Sequence, residues 1–122
     1  MLSFPVEIVL KGREVAVREV VSAAVPGPAT WDDEAVRAVL IAILRAIERA
    51  EHPDASPNRV VLLRGFSWIV EPAGQQVVLA IEIPKGAAVA GPFAVGQADL
   101  TALISRVLQT ERQLTSAPGT IH

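Results

Sequence analysis

Apolar and polar residues alternate from the start of the chain. Phe4, Val6, Ile8 and Leu10 interleave with Pro5, Glu7, Val9 and Lys11, the two-residue period of a strand with one buried face. Lys11-Gly12 reads as a two-residue turn, with glycine supplying the positive φ. That turn pairs Leu10 with Arg13, Ile8 with Val15 and Val6 with Val17. The same arithmetic recurs around Ala73-Gly74, setting Val70 against Val77, Trp68 against Leu79 and Phe66 against Ile81. Arg59 to Arg64 extends the third strand, with Gly65 as a bulge within it. Two hairpins that each gather their large residues on one face form the framework of the expected fold.

After each hairpin the apolar period lengthens to that of a helix. The first helix is predicted from an N-cap at Thr30, with Asp32, Asp33 and Glu34 favouring its dipole, to Glu51-His52, where Pro53 forbids continuation. Val36, Val39, Leu40, Ile43 and Ile47 form its apolar stripe, beside a small-residue stripe of Ala35, Ala38, Ala42 and Ala46. The second helix is predicted from about Gln97 to Arg112, with Leu100, Leu103, Ile104, Val107 and Leu108 inward.

The two halves align with each other. Phe4, Gly12 and Val15 fall on Phe66, Gly74 and Val77, and after a short insertion near Pro84-Lys85-Gly86 the segment Val25-Pro26-Gly27-Pro28 falls on Val89-Ala90-Gly91-Pro92. This register suggests an internal duplication, with units over 4–52 and 59–112 inside one domain over 1–114 and a flexible tail over 115–122. The expected fold is α+β: a two-layer ββαββα sandwich, circularly permuted relative to the ferredoxin-like pattern. Its antiparallel four-stranded sheet has order 1-2-4-3 and carries both helices on one face.

Composition narrows the chemistry. The chain has 122 residues, of which 51% are hydrophobic and 20% charged, so one buried core is expected. A net charge of -2 argues against a nucleic-acid binder. Phe66 and Trp68, which could stack bases, are assigned to the core. With no cysteine there is no disulfide, thiolate metal site or thiol nucleophile. No basic leader and no uninterrupted apolar run of membrane length is present, so a soluble cytoplasmic protein is expected.

The remaining candidate sites are weak. The Gly/Pro-rich loops before the helices, notably Lys85 through Gly96, lack a phosphate-binding motif and read as connections. Glu48 and His52, with Glu51 and Asp54 nearby, offer one imidazole among hard carboxylates, and His52 is better explained as a helix terminus. Arg18 and Glu82 are expected as an ion pair across adjacent central strands, and no nucleophile accompanies them. No cofactor, metal site or catalytic residue is assigned.

The hairpin phasing instead draws attention to the sheet face away from the helices. Val9, Ala16, Val20, Ile69, Val78 and Ala80 lie there, with Arg18 and Glu82 among them. A solvated face is normally more polar than this. These eight residues are the candidate interface of a small protein-interaction module, expected to form a homodimer or larger homo-oligomer, or to bind another protein. The rival expectation is a small-molecule binder or enzyme with a cleft between the two units, where Arg18, Glu19, Glu82 and Trp68 are the residues of interest.

Overall fold

Both expected hairpins form, each in a register two residues from the expected one. The computed structural model describes residues 1–54 and 61–116, with side chains as far as Glu111. Strand β1 (Leu2–Leu10) pairs antiparallel with β2 (Val17–Ala23). The Lys11-Gly12 turn is present: the Arg13 N–H donates to the Leu10 carbonyl at 3.1 Å, and Gly12 has φ 81°. The chain does not rejoin the ladder there, and Ile8 sits opposite Val17 instead of Val15. Val15 is left 78% exposed in the connection. Arg13 holds this longer loop against the helix layer, donating from Nη1 to the Ala50 carbonyl at 3.3 Å.

In the second hairpin, β3 (Ser67–Ala73) and β4 (Gln76–Ile83) turn at Gly74-Gln75, one residue later than expected. Trp68 therefore opposes Ile81, and Val70 opposes Leu79. An even slip leaves every side chain on its own face. Val77, Leu79 and Ile81 accordingly lie buried, while Val78 and Ala80 occupy the other side. Phe66 does not pair with Ile81, and the described residues from Val61 to Phe66 run outside the strand, with Gly65 ahead of β3 at φ 78°. Arg59 and Val60, expected in that strand, lie outside the described residues, as do residues 117–122 of the expected tail.

The main correction concerns the sheet itself, which has five strands in the order β2-β1-β5-β4-β3. The segment expected to be a Gly/Pro-rich connection is β5 (Gly86–Phe93), the central strand, paired antiparallel with both β1 and β4. Its composition hides it, because glycine, alanine and proline are poor strand formers by propensity. Its position demands that composition. A Cβ at Gly86 would stand 2.5 Å from the Val9 carbonyl oxygen, closer than any side chain can sit. Ala88 and Ala90 point inward and are fully buried beneath the helix layer.

One irregularity ends this pattern. The β4–β5 ladder shifts register between Val77 and Leu79, where three steps along β5 match two along β4. Gly91, at φ 114°, and the cis Gly91–Pro92 peptide lie in this bulge. The extra residue reverses the phase, so Phe93 turns into the core after Ala88 and Ala90. There it packs edge-on against Phe4 and Trp31, with ring centroids 5.1 and 5.2 Å apart. Trp31 also donates from its indole nitrogen to the Pro26 carbonyl at 2.9 Å, locking the loop before the first helix.

With β5 and β1 between them, β2 and β4 are not neighbours, and the expected 1-2-4-3 order does not occur. The expected duplication is not reproduced either. The counterpart of edge strand β2 is the interior strand β4, and the counterpart of the Val25–Pro28 loop is the end of β5. The α+β class and the single helix layer do hold.

Helix α1 (Asp33–Glu51) begins at Asp32 instead of Thr30. The Asp32 carboxylate accepts from the Ala35 N–H at 2.9 Å, whereas Thr30 closes a short 3-10 turn by donating to the Gly27 carbonyl. The helix ends at His52, as Pro53 requires. Its stripe of Val36, Val39, Leu40, Ile43 and Ile47 is buried throughout. Helix α2 (Gln97–Ser116) buries Leu100, Ile104 and Val107, and Gln97 ties its start to β3 by donating to the Val70 carbonyl at 2.8 Å. Both helices share one apolar cluster with the inward residues of all five strands.

Between the helices, Arg106 on α2 donates from Nε to both carboxylate oxygens of Asp33 on α1 at 2.8 Å. This hydrogen bonding holds the Asp33 carboxyl below its ordinary value of 3.8. The contribution to stability is complete above that ordinary value and is lost as pH falls through the lowered folded one. An NMR titration should place the Asp33 pKa below the usual aspartate range and return it there in Arg106→Gln.

A second expected outcome tests the strand phasing. Leu79→Asp would bury a carboxylate without a partner, a cost of several kcal/mol that a domain of this size does not tolerate. Circular dichroism should show that variant unfolded while Val78→Asp keeps the native spectrum.

Candidate functional site: the open face of the sheet

Alternate residues of all five strands face away from the helices, and the ladder places them in rows. The central row reads Arg18, Glu7, Val89, Ala80 and Ile69 from β2 to β3. Toward the loop between β1 and β2, the next row reads Val9, Ala87, Glu82 and Ser67. On the other side Val20 opposes Pro5, and Val78 opposes Glu71. Large apolar side chains on this face stand open to solvent: Val9 is 48% exposed, Val20 71%, Ile69 54% and Val89 45%. Val78, Ala80 and Ala87, half-buried, fill the surface between them.

Seven of the eight candidate interface residues thus share one face: Val9, Arg18, Val20, Ile69, Val78, Ala80 and Glu82. The eighth, Ala16, lies in the connection before β2 begins. Val89 and Ala87 extend the expected surface, because the composition of β5 resembles that of a loop, and Val89 occupies its centre. The signal available was the alternation Gly86, Ala88, Ala90 against Ala87, Val89. Its inward members are too small to register as hydrophobic periodicity.

The charges on this face divide by side. The β1–β2 half carries Arg18, whose Nε donates to the Glu7 carboxylate at 3.0 Å, and Lys11 just beyond Val9. The β3–β4 half carries Glu71 and Glu82. Among the described residues, Lys11, Glu71 and Glu82 form no ion pair. Lys11, Val9, Ala87, Glu82, Ser67 and Phe66 surround a shallow concavity of about 600 Å³ at one end of the face.

The residues proposed for a cleft do not converge. Arg18 pairs with Glu7 across β1–β2, and the expected Arg18–Glu82 pair fails because two strands separate them. Glu19 turns to the helix side, where Arg49 of α1 donates to it from Nε at 3.1 Å. Trp68 lies half-buried on the helix side of β3. There it helps line a cleft of about 550 Å³ with Phe66, Leu62, Ile41 and Leu108, and with Arg64 and the paired Arg37 and Glu111 at its polar margin.

The other chemical candidates are also placed. The Asp32 carboxylate already occupies the N-terminus of α1, and the loop expected before α2 is largely β5. His52 donates its backbone N–H to the Glu48 carbonyl at 2.8 Å, and its ring lies 3.9 Å from Glu51. Among the described residues no three potential metal ligands gather. No described helix is long and apolar enough to cross a membrane. No protein-family model, curated protein or solved structure matches this chain.

Proposed function

We propose that this domain is a small protein-interaction and assembly module that self-associates through the open face of its sheet. The observation that carries the reading is the row Val89, Ala80 and Ile69, flanked by Val9, Ala87 and Val78, on a face that no element of the described fold covers. Burying apolar surface of this kind contributes roughly 25 cal/mol per Å², and apolar sheet faces stack on one another in sandwiches. A dimer is the simplest closed assembly.

A second reading rests on the cleft beside Trp68. Its apolar walls, with Arg64 and the Arg37–Glu111 pair at the margin, suit a small, mostly apolar molecule with one polar group. Stabilisation of the protein by such molecules in a thermal-shift screen, lost in Arg64→Ala, would favour this reading over assembly.

Light scattering on the purified protein should give a mass of two chains or more at tens of micromolar. Val89→Asp and Val78→Asp should each yield a folded monomer, since either carboxylate would have to be desolvated in the contact. A wild-type monomer under these conditions would sink the assembly reading.

A further inference from the structure

We infer that the partner on the open face is a second copy of this chain, stacked face to face about a two-fold axis that runs parallel to the strands over β5. This rests on the assembly reading above and assigns its geometry.

The argument comes from where the charges of the open face stand. A two-fold between stacked sheets can run along the strands or across them. An axis across the strands sets each strand over its own copy. The cationic side of one face, with Lys11 and Arg18, would then lie on the same side of its partner. Glu71 and Glu82 would likewise meet Glu71 and Glu82, without a counter-charge. An axis along β5 exchanges β1 with β4 and β2 with β3, as the strand order dictates. Every cation then lands on the acidic half.

The ladder levels fix which charge meets which. Val9, Ala87 and Glu82 share a level, and Lys11 lies one inward–outward step beyond Val9. Under the exchange, Lys11 of one copy comes over the end of β4, next to Glu82 of the other. Arg18 shares its level with Ile69, one step from Glu71 on the same strand, so Arg18 comes beside the second acidic residue. Arg18 is already held by Glu7, so Lys11 is the unpaired cation of this half and its approach to Glu82 is the pairing that selects the register. Like charges across a contact select against the wrong register, and opposite charges select the right one.

The axis itself crosses the least obstructive part of the face. On β5, Ala87 and Val89 meet only their own copies, and both are small enough to let two sheets approach. Charged residues on the axis would meet their own kind, and the central strand carries none.

The chain has no cysteine, so a single introduced one reports only on its symmetry mate. With a short bis-maleimide, Val89→Cys should give a covalent dimer, while Val20→Cys and Ile69→Cys alone should not. A mixture of those last two variants should cross-link to each other, because the axis sets β2 over β3. Lys11→Glu and Glu82→Lys should each weaken dimerisation by about tenfold at low salt, and the double exchange should restore it. Circular dichroism confirms that each variant is folded. If Val20→Cys cross-links to itself and Val89→Cys does not, the copies join along the β2 edge. The axis assignment is then overturned while self-association stands. If the charge exchange shows no rescue, the charge pairing falls in the same way. A wild-type monomer by light scattering removes both this geometry and the assembly reading.

Discussion

The close contact of β5 with β1 is the constraint on which the rest of the structure depends. It joins a hairpin from the N-terminal part of the chain to a three-stranded meander from the C-terminal part, and it makes one sheet from two. The contact is possible only because Gly86 has no side chain to meet the Val9 carbonyl. Ala88 and Ala90 extend the same condition into the core. A central strand with small inward residues lowers the floor beneath the helices, and the large side chains of Leu40, Ile43 and Ile104 complete the packing from above.

That choice inside has an effect outside. A strand inserted at the centre widens the face turned away from the helices, and its outward residue Val89 bridges what would otherwise be two separated apolar groups, Val9 on β1 and Ile69 on β3. The bulge at Gly91-Pro92 then ends the outward run and returns Phe93 to Phe4 and Trp31. Core closure and the breadth of the open face come from one eight-residue segment.

The legible part of the fold was the part written in large residues. Phe4, Val6, Ile8 and Leu10, and likewise Val77, Leu79 and Ile81, declare an inner face by size. That phasing survived turns of the wrong length because both slips were even. Helix α1 was equally plain from its stripe and from Pro53, although its start depended on whether Thr30 or Asp32 made the cap. Only the hydrogen bond to Ala35 decides that. What could not be read was β5, since a strand made small to fit between neighbours looks like a turn when the neighbours are not yet known. A loop in place of β5 leads to a different strand order, to an Arg18–Glu82 pair and to an apparent repeat. The repeat had matched Pro26-Gly27-Pro28 of a loop with Ala90-Gly91-Pro92 at the end of a strand. For the candidate surface, the outer residues of the large-residue strands were visible, whereas its centre was not.

The order of the strands also sets a timetable for assembly. β1 meets β2 through a short connection but acquires its other neighbour only when residues 86–93 are in place, after a helix and a complete hairpin have intervened. As a chain leaves the ribosome in sequence order, β1 therefore has an open backbone edge until β5 follows, with Phe4, Val6 and Ile8 beside it. Contacts so distant in sequence slow closure of the sheet, because the intervening chain must be ordered before they form. Glu7 and Pro5 are exposed on that strand, and charge and proline are the residue types that disfavour pairing at an open edge.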